Sequence, residues 1–229
     1  MKKGKLYIVA TPIGNLGDIS LRALEILKEV DCIFAEDTRV TKKLLNHFDI
    51  KTPLDKYNQH SSDKTKDKIL SFLTRGESVA LVSDAGTPNV SDPGGELVDY
   101  LLERTSLEMI PIPGVSSVSA ALSVCGFDVS HHIFIGFFPK KKKDKLTNWI
   151  KESKLAFVYF DSPHRVIKNL EYLQNKLGER RVFVAREMTK LHETFYRGSF
   201  NEVLNQLREM GTIKGEITVV IEKPQSKRV

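Results

Sequence analysis

The sequence predicts an α/β protein of two units, a parallel-sheet unit followed by a mixed-sheet unit. Strand-like apolar runs alternate with helix-like stretches over the first half of the 229 residues. In the second half, two successive strand-like runs are separated only by Met188 to Leu191, which indicates an antiparallel hairpin. The composition, 41% apolar and 28% charged, is typical of a folded globular chain. We expect two α/β lobes, residues 1–114 and 115–229, with a ligand cleft between them.

The first half is predicted to contain five strands and the helices that connect them. Each predicted strand is a short apolar run, and the five runs are Lys5 to Thr11, Cys32 to Glu36, Leu54 to Tyr57, Ser78 to Val82 and Glu108 to Ile112. Helical spacing of apolar residues predicts a helix capped by Asp18 or Ser20, then Thr38 to Phe48, Ser62 to Arg75, about Glu96 to Glu103, and Ser116 to Val124. We place Leu21, Leu24 and Leu27 on the buried face of the first helix. This alternation predicts a parallel sheet.

The second half has a different pattern. Its predicted strands are Ile133 to Phe138, Leu155 to Asp161, Arg181 to Glu187, His192 to Phe200 and Glu216 to Glu222. Helices are predicted near Leu146 to Ser153, Arg165 to Leu177 and Asn201 to Met210. Because the third and fourth strands form a hairpin, this sheet is expected to be mixed.

The loop from Val82 to Gly95 is the most informative stretch, because it follows a predicted strand and is longer than an ordinary connection. In open α/β sheets, ligands bind beyond the carboxyl ends of the strands. The loop carries Asp84 and Asp92 but no lysine or arginine, so it is unsuited to a diphosphate. S-adenosylmethionine, with its cationic centre, ribose hydroxyls and adenine edge, suits these carboxylates and the backbone groups. The alternative is a plain strand-to-helix connection.

A second candidate site lies where Glu36 and Asp37 end a predicted strand and open a helix. The first turns of that helix carry Arg39, Lys42 and Lys43. A carboxylate at a strand end, beside an arginine that binds phosphate, could serve a hydroxyl of a nucleic acid. A helix cap with a solvated basic surface is the competing interpretation.

Aromatic and basic residues adjoin in the second half, where Phe137 and Phe138 precede a lysine run that includes Lys140 and Lys141. Aromatic rings stack on bases and lysines neutralise phosphates, so this stretch is a candidate RNA contact. A solvated lysine loop whose phenylalanines face the core is the alternative.

Two further strand ends carry hydroxyl, imidazole and guanidinium groups. Ser162, His164 and Arg165 follow one predicted strand, and Ala185 to Lys190 ends another. Such groups are what the wall of a cleft displays. Ser162 could instead serve only as a helix cap.

Charge and composition exclude several classes of protein. The net charge of +6 favours an acidic partner such as nucleic acid, although a polycarboxylate substrate suits the same surface. No apolar run approaches the roughly 18 residues of a membrane span, and the chain starts without a signal-peptide pattern, so we expect a cytoplasmic protein. Cys32 and Cys125 are predicted to be buried free thiols, and the histidines show no ligand spacing, so no metal is expected.

Six stretches of the chain, in their order and spacing, closely resemble the ribosomal RNA small subunit methyltransferase I family of the tetrapyrrole-methylase superfamily. They are Ala10 to Ser20, Ala35 to Arg39, Leu81 to Gly94, Pro111 to Ser117, Ser162 to Arg165 and Ala185 to Lys190. The combination of Thr11 to Asp18, Glu36 to Arg39 and Ser83 to Pro88 is specific to this family. Asn89 is a departure, because the family pattern has glycine at that position.

The resemblance implies a homodimeric, two-domain enzyme that uses S-adenosylmethionine to methylate the ribose 2′-hydroxyl of a cytidine in the decoding region of 16S ribosomal RNA. The residues it implies for the cofactor are Pro12, Asp84, Ala85, Gly86, Thr87, Pro88, Ser116, Ser117, Ala185 and Gly215. The catalytic candidates are Asp37 and Glu36 as bases, with Arg39. The candidates for RNA binding are Arg39, Lys42, Lys43, Lys140, Lys141, His164 and Arg165.

Two other function classes stay open at this point. A small-molecule tetrapyrrole C-methyltransferase would use the same cofactor cleft, and its basic surface would bind substrate carboxylates. A non-enzymatic RNA-binding module would not bind S-adenosylmethionine at all. If the substrate is the small ribosomal subunit, the sequence leaves open whether free RNA or the assembled particle is modified.

Overall fold

The structure, a computed structural model, describes residues 4–224. These residues form two compact units, and the division falls between Ser116 and Ser117. Each unit is built around its own five-stranded sheet. None of the described helices is long and apolar enough to cross a bilayer.

The first unit is a parallel sheet with helices between its strands, as predicted. Its strands are β1 (Lys5–Val9), β2 (Cys32–Ala35), β3 (Leu54–Lys56), β4 (Val79–Val82) and β5 (Glu108–Ile112). Its helices are α1 (Leu21–Glu29), α2 (Thr38–His47), α3 (Asp63–Thr74) and α4 (Gly95–Arg104), with a 3-10 turn at Leu16–Asp18. The strand order is β3-β2-β4-β1-β5, and every neighbouring pair is parallel.

Helices cover both faces of this sheet because its central strands are apolar on both sides. All four residues of β4 are buried, which is the pattern of a strand inside a parallel sheet. Leu27 of α1 and Leu45 of α2 pack in the core on one face, and Leu73 of α3 and Leu101 of α4 pack in the core on the other. The chain therefore leaves β1 toward one face and its neighbour β4 toward the other. Open α/β sheets bind ligands where neighbouring loops diverge in this way.

The second unit contains the predicted mixed sheet. Its elements are α5 (Ser117–Val124), β6 (His132–Phe137), α6 (Lys143–Ser153), β7 (Ala156–Asp161), α7 (Val166–Leu177), β8 (Arg181–Arg186), β9 (Thr194–Ser199), α8 (Phe200–Glu209) and β10 (Ile217–Ile221). The strand order is β6-β7-β10-β8-β9, in which only β6 and β7 are parallel. Helices α6, α7 and α8 contribute the core on one face, and α5 contacts β7 and β10. The predicted hairpin is the pair β8 and β9.

The first turn of α1 differs from the prediction. Leu21 is the first residue of the helix and is 79% exposed, whereas Ala23 and Leu27 are fully buried. A spacing of three residues turns a helix by only about 300°, so a residue six positions before Leu27 lies about 120° away from it. Ser20 is the cap, since its hydroxyl accepts the Ala23 N–H at 3.1 Å.

We expect Leu27→Ala to lower the free energy of unfolding by about 2–5 kcal/mol, because it leaves a cavity in a closed core. Leu21→Ala, in the same helix, is the matched control and should change the free energy of unfolding by less than about 0.5 kcal/mol. Urea unfolding followed by circular dichroism measures both. Equal effects of the two substitutions would contradict the placement of α1.

Candidate functional site

The loops that follow β1 and β4 are joined by backbone hydrogen bonds. The Thr11 N–H donates to the Gly86 carbonyl at 2.8 Å, and the Gly86 N–H donates to the Thr11 carbonyl at 3.0 Å. The Thr11 hydroxyl also donates to the carbonyl of Ser83 at 3.2 Å. Gly86 has a φ of 83°, which suits glycine and strains other residues. The β4 loop is therefore fixed where it leaves the sheet.

The same loop is also attached to the segment that follows β5. The Thr87 hydroxyl donates to the carbonyl of Val115, the residue before Ser116, at 3.2 Å. A Cβ on Gly114 would lie 2.9 Å from the Ala10 Cβ, so glycine allows the ends of β5 and β1 to approach. The first unit thus brings the β4 loop together with the residues that lead to Ser116.

The predicted cofactor residues of this unit differ in how accessible they are. Pro12, Gly86 and Pro88 are buried, Ala85 and Thr87 are half-buried, and Asp84 is exposed. Ser116 is half-buried, and so is Ser117, the first residue of α5. Asp84 therefore presents the accessible charge of this loop.

Glu36 and Asp84 lie close together at the ends of β2 and β4. The Asp84 backbone N–H faces the Glu36 carboxylate and favours its charged form. The Asp84 Oδ1 accepts the Asp37 backbone N–H at 2.9 Å. Because β2 and β4 are parallel neighbours in register, both acids emerge at the same edge of the sheet. Two carboxylates thus lie side by side at this edge, and the positive charge of Arg39 acts on Asp84 from nearby.

The two acids bind protons more tightly than ordinary carboxylates. Partial removal from water raises the pKa of Glu36, and the charge of Asp84 raises it further. Partial removal from water also raises the pKa of Asp84, and the charge of Asp37 adds to this effect. Two neighbouring carboxylates that are partly removed from water favour a cationic ligand.

Asp37 has a different environment from its two neighbours. Its Oδ2 lies 2.5 Å from Arg39 Nη2, and its Oδ1 accepts the Arg39 backbone N–H at 2.9 Å as the cap of α2. These hydrogen bonds from Arg39 hold the pKa of Asp37 well below its usual range. The helix-cap interpretation of Asp37 is therefore confirmed, and this cap lies beside an acidic strand end.

A depression of about 350 Å³ opens at this edge of the first unit. It is lined by Glu36, Asp37, Thr38, Arg39, Lys56, Asn58 and Asp84. Sequence reasoning missed Lys56 and Asn58, which lie at and just after the end of β3. That strand is three residues long, too short for a periodicity that would mark its end.

Asn89 adopts the backbone conformation that glycine favours. Its φ is 72°, and asparagine is one of the few residues that tolerate this left-handed region. The Oδ1 of Asn89 lies 2.6 Å from the position that a Cβ on Gly95 would take. Asn89 therefore preserves the turn that glycine would form at this position, and Gly95 provides space for the Asn89 side chain.

The predicted cofactor residues of the second unit are Ala185 and Gly215. Ala185 is buried in β8, between Thr218 and Phe195 of the flanking strands. Gly215 has a φ of 94°, and a Cβ there would lie 2.3 Å from the Glu187 Cδ. Gly215 therefore makes room for a carboxylate, a role that the sequence pattern did not indicate.

Glu187 organises the turn around Gly215. Its Oε1 accepts the Glu216 N–H at 2.8 Å and the Lys190 ammonium at 3.0 Å. The same lysine also contacts the Glu216 carboxylate at 3.0 Å. The stretch from Ala185 to Lys190 is thus tied to the segment before β10.

The residues predicted to bind RNA fall into two groups. Arg39, Lys42 and Lys43 lie on one exposed face of α2, because they follow helical spacing. Lys140, Lys141 and His164 are exposed in the second unit.

Arg165 and Lys143 have structural contacts that sequence reasoning missed. Arg165 Nη2 donates to the carbonyls of Phe138 and Pro139, at 2.6 and 3.2 Å. Lys143, within the lysine run, donates to Asn169 Oδ1 at 2.7 Å, and its removal from water lowers its pKa. The run is therefore not uniformly solvated.

Residues 5–204 match the family model of the Tetrapyrrole (Corrin/Porphyrin) Methylases. The chain is 45% identical over 222 residues to the ribosomal RNA small subunit methyltransferase I of Halalkalibacterium halodurans, covering 96% of this chain and 76% of that protein. It is 46% identical over 219 residues to the protein of that name from Thermotoga maritima, covering 95% and 98%. The chain belongs to the ribosomal RNA small subunit methyltransferase I family. The resemblance seen in the sequence is confirmed, and with it the assignment as a methyltransferase.

Solved structures of the wider superfamily share the fold of this family member. A cobalt precorrin-4 methyltransferase matches with a TM-score of 0.71 at 19% identity, over 95% of this chain and 94% of that one. A diphthine synthase matches with a TM-score of 0.71 at 14% identity, over 97% and 92%. The predicted fold class is therefore confirmed.

We expect Gly215→Ala to destabilise the protein more than Gly211→Ala does. Both glycines have positive φ, so alanine costs about 1–2 kcal/mol at either position. At Gly211 nothing lies within 4 Å of the new Cβ, whereas at Gly215 the Glu187 side chain must move. That displacement adds about 1–3 kcal/mol.

Urea unfolding of both glycine variants measures the difference in the free energy of unfolding. Equal losses in the two variants would show that the contact with Glu187 is unimportant.

Proposed function

We propose that this protein transfers a methyl group from S-adenosylmethionine to the ribose 2′-hydroxyl of a cytidine in 16S ribosomal RNA. The observation that carries the proposal is the acidic pair Glu36 and Asp84, held at one sheet edge in a chain of this methyltransferase family. The shared name of the relatives supports small-subunit ribosomal RNA as the substrate. The ribose position rests on the resemblance of the sequence motifs to that family.

The residues of the β4 loop fit the proposed cofactor. S-adenosylmethionine, when bound, supplies a methyl group on a positively charged sulfur. Asp84 offers an accessible carboxylate, and the loop from Asp84 to Pro88 contributes no cation. Partial removal from water is the main cause of the raised pKa of Asp84, and a bound cation would favour its charged form.

Glu36 is the better base of the two catalytic candidates. Methyl transfer forms a bond from the ribose oxygen to carbon, breaks the bond from carbon to sulfur and releases the hydroxyl proton. A base accepts that proton more readily when its pKa is raised. The pKa of Glu36 is raised, whereas Arg39 holds the pKa of Asp37 low. Asp37 instead positions Arg39 at the rim of the depression.

The basic face of α2 supplies the contact with the RNA backbone next to this edge. Arg39, Lys42 and Lys43 are exposed, and they start within one turn of Asp37. Phosphates bind cations and are repelled by carboxylates. The basic face of α2 therefore binds the phosphate of a nucleotide, and the acidic edge takes its ribose.

The test is methyl transfer from labelled S-adenosylmethionine to small ribosomal subunits that lack the modification, and to naked 16S RNA. Mass spectrometry of the nucleosides should identify 2′-O-methylcytidine. Tight cofactor binding without transfer to either RNA would overturn the proposed substrate, and absence of cofactor binding would overturn the proposed cofactor as well. Sedimentation of the same sample gives the oligomeric state, which we expect to be a homodimer.

We expect Glu36→Gln to lower kcat by about 10²–10⁴-fold, because it removes the base. Glutamine keeps an oxygen that faces the Asp84 N–H, so the fold and the affinity for S-adenosylmethionine should change little. Asp37→Asn is the matched variant, since asparagine also caps helices, and it should lower kcat by less than about tenfold. Single-turnover assays separate the two, and a larger loss with Asp37→Asn would assign the base to Asp37.

We expect the affinity for S-adenosylmethionine to rise with pH through a midpoint above that of an exposed aspartate. The raised pKa of Asp84 means that its charge, and with it the attraction for a cation, appears at a higher pH than in an exposed aspartate. Titration calorimetry from about pH 3.5 to about pH 7 measures this dependence. Asp84→Asn should weaken binding and flatten the profile.

Glu108→Gln is the control for the pH profile, because Glu108 lies at the amino end of β5, on the opposite edge of the sheet. It should leave the pH profile unchanged. An unchanged profile in Asp84→Asn would remove Asp84 from the cofactor site.

A further inference from the structure

A patch of phenylalanines lies on one face of the second sheet. The ring of Phe160 lies 5.1 Å from that of Phe134 and 5.5 Å from that of Phe137, both edge to face. Phe134 and Phe160 are half-buried, whereas Phe137 is 60% exposed. The two inner rings therefore support an outer ring that is open to a ligand.

A bulge in β6 places Phe137 on this face. Phe134 pairs with Val158 and Phe137 with Phe160, so β6 uses three residues where β7 uses two. Gly136, inside the bulge, has a φ of 65°. Without the extra residue, Phe137 would point to the opposite face from Phe134.

The next residue, Phe138, goes to the opposite face. It is 1% exposed and packs in the core beside Tyr159, with ring centroids 5.1 Å apart. Of the two adjacent phenylalanines, the structure leaves only Phe137 available to a partner.

The exposed ring is followed directly by positive charge. Lys140, Lys141 and Lys142 are all exposed in the loop after β6. The start of that loop is held in place, because Arg165 donates to the carbonyls of Phe138 and Pro139. An exposed ring on a fixed strand end, beside lysines, combines the two elements that bind single-stranded nucleic acid.

We propose that Phe137, backed by Phe134 and Phe160, stacks on an unpaired base of the RNA substrate while the neighbouring lysines bind the flanking phosphates. The inference rests on the proposed function for its substrate. A second copy of this chain is a poorer occupant, since an isologous contact through this patch would bring two lysine loops together.

The experiment compares Phe137→Ala and Phe137→Trp in methyl transfer to small subunits that lack the modification. We expect Phe137→Ala to raise KM roughly tenfold while kcat changes less than about twofold, and Phe137→Trp to keep a KM near that of the unmodified chain. Trp149→Ala is the matched control, because Trp149 is 51% exposed on α6 of the same unit. It should leave KM unchanged.

Salt dependence separates stacking from charge. Filter binding of a short single-stranded RNA, followed over a range of salt concentrations, should give Phe137→Ala the same salt slope as the unmodified chain at lower affinity. The double variant Lys140→Ala, Lys141→Ala should instead show a shallower slope. Together these results would establish a base contact beside phosphate contacts.

Three results would overturn the inference. One is a Phe137→Ala enzyme with normal KM and normal RNA binding. Another is a Trp149→Ala enzyme with the same defect as Phe137→Ala, which would indicate a nonspecific effect of losing an exposed ring. The third is a dimer that dissociates only in Phe137→Ala, as seen by sedimentation. Failure of the unmodified chain to methylate RNA would count against the proposed function, and the filter binding would still decide the role of Phe137.

Discussion

The close approach of the Glu36 and Asp84 carboxylates is the constraint on which the candidate site of the first unit depends. Each strand end supplies one carboxylate, and the Asp84 carboxylate accepts the Asp37 backbone N–H. Amide donors position the two negative charges without neutralising them, so the pair stays costly in the unliganded protein. Proteins retain an unfavourable arrangement of charges of this kind at sites where a bound ligand makes it favourable. The backbone pairing of Thr11 with Gly86 fixes the loop that carries Asp84.

In the second unit, one extra residue in β6 determines which side chains are exposed. The bulge at Gly136 decides which of two adjacent phenylalanines enters the core and which stays exposed. In a regular strand, Phe137 would lie on the core side and Phe138 on the opposite side. The bulge places a third ring, that of Phe137, beside Phe134 and Phe160 on one face of the sheet. The local backbone therefore serves the surface of the sheet rather than its interior.

Much of this could be predicted from the sequence, and the failures have physical causes. The strands of the first unit end within two residues of the predicted positions, because buried parallel strands are continuous apolar runs. The carboxylates of this site could be predicted because the ends of neighbouring parallel strands meet at one edge of the sheet. Their different pKa values could not be predicted, since these depend on whether Arg39 contacts Asp37 or Glu36. Leu21 was wrongly placed on the buried face of α1, because residues three positions apart rotate progressively away from one face of a helix. Phe137 and Phe138 could not be told apart, because a bulge breaks the two-residue alternation on which strand predictions rely.

The contrast between Asp37 and Glu36 explains how acids and a polyanion can share one site. Arg39 cancels the charge of Asp37 and remains 88% exposed in its side chain, so it faces solvent as part of the basic face of α2. Glu36 and Asp84 keep their charges, which repel phosphates and attract a cation. Under the proposed function, the helix binds the RNA backbone, and the acidic edge beside it takes the ribose hydroxyl and the cationic cofactor. This division needs only one ion pair, placed one residue away from Glu36, the proposed base.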